Sequence, residues 1–120
     1  MFSEQLLDHF RNPRNAGELE NPTASVEVSN PVCGDVLRLA VETRQGTIAR
    51  VGFLCRGCTT AIACASKMTE LVGGEPVEAL GRISADGVAA SFGGLPPETV
   101  HGAYLAADAA RALLAELRRR

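Results

Sequence analysis

The sequence has no excess of basic residues. Its 120 residues include 12 Lys and Arg against 14 Asp and Glu, which gives a formal net charge of −2. Proteins that bind the phosphates of a nucleic acid present a basic surface to them. We therefore expect no nucleic-acid partner.

Long apolar runs are also absent. A helix that spans a bilayer needs about 18 to 20 consecutive apolar residues, and no segment of the sequence approaches that length. Residues 1–5 lack the basic region and apolar stretch of a secretion signal. The sequence therefore predicts a cytoplasmic protein with no membrane partner.

Internal repeats, low-complexity tracts and linkers are absent as well, so the sequence predicts a single domain over residues 1–120. Hydrophobic residues make up 46% of the chain, which is enough for one core. The four cysteines lie at positions 33, 55, 58 and 64. In a reducing cytoplasm, such a set favours metal binding or redox chemistry over two disulfides.

Alternating apolar residues predict three strands, over residues 25–29, 36–43 and 47–55. The short polar turn 44–46 indicates that the last two form an antiparallel hairpin. Before them, a short helix is predicted within the first ten residues, with Ser3 as its N-cap.

The second half of the chain is predicted to be helical. From Thr59 a helical period begins, and Gly73 ends that helix. Its expected buried face consists of Ala61, Cys64, Ala65, Met68, Leu71 and Val72. Short helices are expected near 75–80 and 85–90, and a long last helix from Pro96 onwards. Strands followed by helices indicate an α+β fold, in which helices cover one face of the sheet.

Cys33 and Asp35 are the first candidate metal ligands. In an extended backbone, residues two apart project from the same face, so one metal ion could contact both. The alternative is a buried cysteine followed by an aspartate that closes a turn. Taken alone, these residues favour the second interpretation.

Cys58 lies where the third strand ends and a helix begins. Backbone N–H groups and the dipole at a helix N-terminus favour a thiolate, so Cys58 is the best candidate ligand or nucleophile. Cys55 is either a ligand or a core residue at the end of the strand. Cys64, six positions beyond Cys58 on the helix, is predicted to lie in the core.

The two histidines receive different interpretations. His101 falls in the first turn of the last helix, where a neutral imidazole could face a metal held by the loops, although a lone histidine is more often a surface residue or one with satisfied hydrogen bonds. His9 lies in the first helix without a neighbouring ligand pattern, and we predict a surface residue or one whose hydrogen bonds are satisfied.

Four segments, residues 8–15, 31–35, 57–63 and 95–97 with His101 behind the last, resemble the IscU/NifU scaffold family in order and spacing. The resemblance implies a three-stranded antiparallel sheet covered by helices, a SufE/NifU-like sandwich. It also implies a scaffold rather than an enzyme. In such a scaffold, persulfide sulfur from a cysteine desulfurase joins iron as a 2Fe-2S cluster, which then passes to apoprotein acceptors or carrier proteins.

The resemblance extends to individual ligands. Cys33, Asp35, Cys58 and His101 match ligand positions of the family. Thiolates bind iron tightly, whereas carboxylate and imidazole donors exchange more readily, which suits a cluster that must leave.

Two departures from the family pattern are evident. The family has its third cysteine directly after the histidine, where this chain has Gly102. We hypothesise that Cys55 supplies the missing sulfur. In addition, residues 95–99 lack the Val-Lys ending of the family's chaperone-recognition stretch, so a dedicated Hsp70 partner is not expected.

Other functions fit some of the same residues. A zinc-bound sulfur acceptor would use Cys33, Asp35 and Cys58 with one more donor, although the spacing from Cys58 to His101 lacks the insertion of the zinc-bearing family branch. A dithiol oxidoreductase would use Cys55 with Cys58, but it needs parallel βαβ units. A protein that only binds partners is the remaining alternative.

Overall fold

The computed structural model describes residues 2–120, and its sheet has the order β1-β2-β3 with antiparallel pairing throughout. The elements in chain order are α1 (Glu4–Arg11), β1 (Ala24–Asn30), β2 (Asp35–Arg44), β3 (Thr47–Arg56), α2 (Thr59–Val72), α3 (Ala85–Ser91) and α4 (His101–Arg118). Short 3-10 helices occupy Val77–Arg82 and Pro97–Thr99. The predicted α+β fold is confirmed. Among the described residues, every helix is too short or too polar to span a bilayer.

The β2–β3 hairpin closes through two residues, Gln45 and Gly46, with φ angles of 52° and 77°. Two positive φ angles are the mark of a type I′ turn, which matches the twist of the strands that it joins. The turn places Arg44 opposite Thr47, and an irregularity between Glu42 and Thr43 shifts the register by one residue, so that Val36 lies opposite Arg56 at the far end of the hairpin. The start of β2 and the residues just after β3 therefore lie side by side.

One face of the sheet forms the core with the helices. Leu37, Leu39 and Val41 of β2 are completely buried, as their alternation predicts. The helices α2 and α4 pack against this face and against each other. The ends of the two helices are thereby held close to the ends of the strands.

The buried face of α2 is wider than the sequence predicts. Polar residues such as Thr60, Ser66 and Thr69 are buried as well, because α1, α4 and the sheet cover the helix from three directions. Leu71 is 43% exposed, so its predicted place in the core is wrong. A helical period alone does not show from which directions a helix is covered.

His9 fastens α1 to α2. Its side chain is buried, and its Nδ1 lies 2.7 Å from the Ser66 hydroxyl. The backbone N–H of Arg14 donates to the same hydroxyl at 2.8 Å, and the His9 ring meets Phe92 edge-on at 5.5 Å. His9 is thus a buried residue with satisfied hydrogen bonds, one of the two predicted situations.

We expect His9 to make the fold sensitive to acid. Burial, with a smaller contribution from the Arg14 cation, lowers its pKa below the usual 6.5, although Glu70 opposes the shift. The folded protein therefore binds this proton less readily than the unfolded chain does, and stability is lost as the pH falls below about 6.5. Urea midpoints between pH 5 and 7.5 measure the loss. A His9→Gln protein should lose less over this interval, and an equal loss would contradict the assignment.

Thr60 offers a stabilising substitution. Its side chain is 1% exposed, and its Oγ1 has no hydrogen-bond partner among residues 2–120. A buried hydroxyl without a partner costs about 1 to 3 kcal/mol. We expect Thr60→Val, which keeps the shape, to raise the free energy of unfolding by about 1 kcal/mol in urea titrations. A lower stability would show that the hydroxyl has a bonding partner in solution.

Candidate metal centre

Three side chains from distant parts of the chain converge at the end of the sheet remote from the hairpin turn. Asp35 opens β2, Cys58 is the N-cap of α2 and His101 opens α4. Cys58 Sγ lies 3.7 Å from Asp35 Oδ2 and 3.5 Å from His101 Nε2, and the last two atoms are 3.6 Å apart. Their donor atoms thus form a nearly equilateral triangle.

The size of this triangle fits a single metal ion. A tetrahedral ion with bonds of about 2.0 to 2.3 Å holds its donors about 3.3 to 3.8 Å apart. The observed separations therefore match one face of a coordination tetrahedron and leave a fourth position open. Thiolate, imidazole and carboxylate are donors that zinc and iron accept. A 2Fe-2S cluster takes four protein donors, so it needs one more than the triangle supplies.

The triangle lies beside the open first turn of α2. No side chain caps the first turn of α2, so its backbone N–H groups remain available beside Cys58. Asp35 is buried, whereas Cys58 is exposed. A Cβ atom at Gly57 would lie 2.9 Å from Asp35 Cγ, and glycine at this position therefore lets the carboxylate approach.

Cys33 lies outside the triangle but at the same end of the sheet. It belongs to the turn 31–34, which joins β1 to β2 where Asn30 pairs with Asp35. The backbone here is not extended, since Gly34 has a φ of 74° and its N–H donates to the Asn30 carbonyl. The extended-strand argument for Cys33 and Asp35 therefore does not hold. The Cys33 thiol is exposed.

Cys55 also lies outside the triangle. It is half-buried near the end of β3, opposite Leu37, and packs against the core. Burial raises the pKa of its thiol to about 11, and the negative charges of Asp35 and Cys58 contribute to the rise. Cys55 thus combines a core position with closeness to two members of the triangle.

Cys64 is the fourth cysteine, and its predicted core position is confirmed. The residue is completely buried in α2. Burial raises the pKa of its thiol to about 12. It is therefore a structural residue.

Gly102 is a residue whose role the sequence argument missed. It is buried where the first turn of α4 meets the first turn of α2. A Cβ at this position would lie 2.9 Å from the backbone nitrogen of Ala61. The signal in the sequence was a glycine inside a helix, which costs about 1 kcal/mol relative to alanine and usually has a packing reason.

Solved structures show the same fold. A nitrogen-fixing NifU-like N-terminal protein from Brucella abortus superposes with a TM-score of 0.78 over 98% of this chain and 94% of its own, at 18% identity. A candidate iron-sulfur cluster assembly scaffold protein for the SUF system of Fervidobacterium islandicum gives 0.79 over 94% and 96%, at 22% identity. At these identities the likeness concerns the fold alone.

Other proteins have a higher sequence identity to this chain than these two structures have. The iron-sulfur cluster assembly scaffold protein IscU 1 of Archaeoglobus fulgidus is 40% identical over 92% of this chain and 72% of its own length. The IscU scaffold protein of Haemophilus influenzae is 39% identical over 96% of this chain and 94% of its own length. The sequence model of the NifU-like N terminal domain matches residues 1–120. This chain therefore belongs to the NifU-like N-terminal domain family.

Proposed function

We propose that this protein is a scaffold on which a 2Fe-2S cluster is assembled from iron and sulfur and then passed on. The observation that carries the proposal is the convergence of Asp35, Cys58 and His101 within 4.8 Å of one another. The names of the relatives support it, since they are called iron-sulfur cluster assembly scaffold proteins. The cluster is cargo, and the chain is not expected to catalyse a reaction.

The donor set suits a cargo that must be held and then released. The Cys58 thiolate supplies a strong bond to iron, while Asp35 and His101 supply bonds that exchange more readily. Cys58 lies at the surface beside the open position of the triangle. An incoming sulfur atom can therefore reach the site without rearrangement of the core.

The partners follow from this chemistry. Sulfur is expected to come as persulfide from a cysteine desulfurase, and an external reductant supplies the two electrons that convert each persulfide sulfur to sulfide. The finished cluster is expected to leave for apoproteins or carrier proteins. The proposal places the protein in the cytoplasm, where thiols stay reduced. It includes no dedicated Hsp70.

Further donors are expected from Cys33 and Cys55. Cys33 is exposed in the turn beside Asp35, and Cys55 lies close enough to Asp35 and Cys58 for their charges to affect its thiol. We keep the hypothesis that Cys55 replaces the sulfur that the family carries at position 102. Deprotonation of Cys55 by a bound metal would offset its raised pKa.

Serine variants of the two cysteines test this hypothesis. After anaerobic reconstitution, Cys33→Ser and Cys55→Ser should each hold less than about half of the iron and sulfide of the parent, since each loses a thiolate donor. Cys64→Ala is the matched control, because Cys64 is buried in the core. A Cys55→Ser protein that holds as much iron and sulfide as the parent would refute the replacement.

Anaerobic reconstitution tests the function as a whole. The parent receives ferrous iron, cysteine, a cysteine desulfurase and dithiothreitol, which supplies the electrons that reduce persulfide sulfur to sulfide, and iron and acid-labile sulfide are counted after desalting. A scaffold retains both in similar amounts and passes them to an apoferredoxin. A protein that retains neither is not a scaffold.

A zinc-bound sulfur acceptor is the second candidate, and the single-ion size of the triangle favours it. Metal analysis after anaerobic purification separates the two functions. Zinc that stays bound while sulfur is accepted as persulfide, without labile sulfide, would favour the acceptor. The oxidoreductase interpretation loses its basis, because the sheet is antiparallel and no strand follows α2 within residues 2–120.

A further inference from the structure

Gly102 lies in a close contact between α4 and α2. A Cβ atom added to it would meet Ala61 N at 2.9 Å, and Ala61 Cα and Thr60 C at 3.0 Å. Non-bonded carbon atoms pack favourably at about 3.5 to 4.0 Å. The two helices are therefore closer here than any residue with a side chain allows.

The contact cannot be relieved by a side-chain rotation. All three atoms belong to the backbone of the first turn of α2, which is hydrogen-bonded from Ile62 N to Cys58 O. A side chain at position 102 therefore has to push the two helix ends apart by roughly 0.5 to 1 Å. The first turn of a helix moves as a unit, together with the residues that it carries.

These two helix ends carry two of the three donors. Cys58 precedes α2, His101 opens α4, and their donor atoms are 3.5 Å apart. We propose that Gly102 is the positioning residue that closes the triangle of Asp35, Cys58 and His101 to the size of one metal ion. The inference rests on the proposed function in that it concerns the same metal centre.

A cysteine at position 102 would not restore the family's ligand set in this chain. Its Cβ would already overlap the backbone of Ala61, so the sulfur cannot be added while His101 keeps its place. Gly102→Cys should therefore weaken the site. A Gly102→Cys protein that binds metal more tightly than the parent would contradict the proposal.

Cobalt(II) titration against a chromophoric chelator tests the inference with the metal alone. We expect Gly102→Ala to bind Co²⁺ about 10- to 100-fold more weakly, the usual cost of disturbing a group that orients a ligand. Gly81→Ala is the matched control, since a Cβ there meets only the end of the flexible Leu114 side chain. Its affinity should equal that of the parent. If Gly102→Ala also binds like the parent, the inference is wrong.

The same substitution in a His101→Ala protein separates a positioning role of Gly102 from general damage to the fold. If Gly102 acts through His101, Gly102→Ala should cause no further loss of Co²⁺ affinity in a His101→Ala protein. An equal loss in both backgrounds would overturn the proposed role. The sulfur-to-cobalt charge-transfer band should remain in the cobalt-loaded Gly102→Ala protein, because the Cys58 thiol itself is still present.

Hydrogen exchange on the parent keeps the inference testable even if Gly102→Ala does not fold. Binding of Zn²⁺ should slow exchange in the first turns of α2 and α4 together, since the metal joins them. Protection of α2 alone would contradict the inference. The failure of cluster assembly is a separate outcome, because neither the titration nor the exchange experiment contains sulfide or desulfurase.

Discussion

A Cys58→Ser protein is expected to lose metal binding while its fold becomes no weaker. Cys58 is the only thiolate in the triangle, and its sulfur lies 3.5 Å from His101 Nε2 and 3.7 Å from Asp35 Oδ2. Serine offers a protonated hydroxyl in place of the thiolate, which is a poor ligand for iron or zinc. Disturbing a group that merely orients a ligand costs about 10- to 100-fold in affinity, so loss of the thiolate itself should cost more than about 100-fold.

The fold provides the control for this substitution. Cys58 makes no side-chain cap bond to α2, whereas serine is among the best N-cap residues. Cys58→Ser should therefore leave stability unchanged or raise it by about 0.5 to 1 kcal/mol. Zinc or cobalt titration and urea unfolding of the same preparation measure the two effects. Metal affinity equal to that of the parent would show that the triangle is not the binding site.

Replacement of Phe92 by alanine should have the largest effect on stability. Phe92 is 2% exposed, follows α3 and packs edge-on against His9. Removing a buried phenylalanine side chain costs about 3 to 5 kcal/mol, from a total of about 5 to 15 for a domain of ordinary stability. The site itself is untouched, so the molecules that remain folded should bind metal as the parent does.

Urea unfolding with a volume-conserving comparison tests this expectation. Phe92→Leu keeps most of the apolar volume and should lose less than about 1.5 kcal/mol. A loss of under about 1 kcal/mol in Phe92→Ala would mean that the core closes around the missing ring. In that case the His9 contact contributes little to holding α1 in place.

The strands were predictable because their signals are local. Alternating apolar residues and a short polar turn with Gly46 place β2 and β3 within one residue of their observed ends. The position of Cys58 at the start of α2 was predictable for the same reason, since the change of period from two to 3.6 marks that helix start.

The remaining features depend on contacts between distant segments. The turn that holds Cys33 depends on the positive φ of Gly34, which no periodicity encodes. Leu71 was wrongly predicted to lie in the core, because the packing of α1 and α4 determines which side of α2 stays exposed to solvent. From the sequence, Gly102 was interpreted only as a missing cysteine ligand. Its close contact with the backbone of α2 depends on the distance between two helices, which the sequence does not show.

The three donors come from the beginning of a strand and the beginnings of two helices, separated by 23 and 43 positions along the chain. Only the folded chain brings them together, so cargo and folding are thermodynamically linked. At a free metal concentration 100 times the dissociation constant, occupancy stabilises the native state by about 2.7 kcal/mol through mass action. A factor that binds the unfolded chain more tightly than the folded one therefore causes release of the bound metal or cluster without contacting any of its ligands.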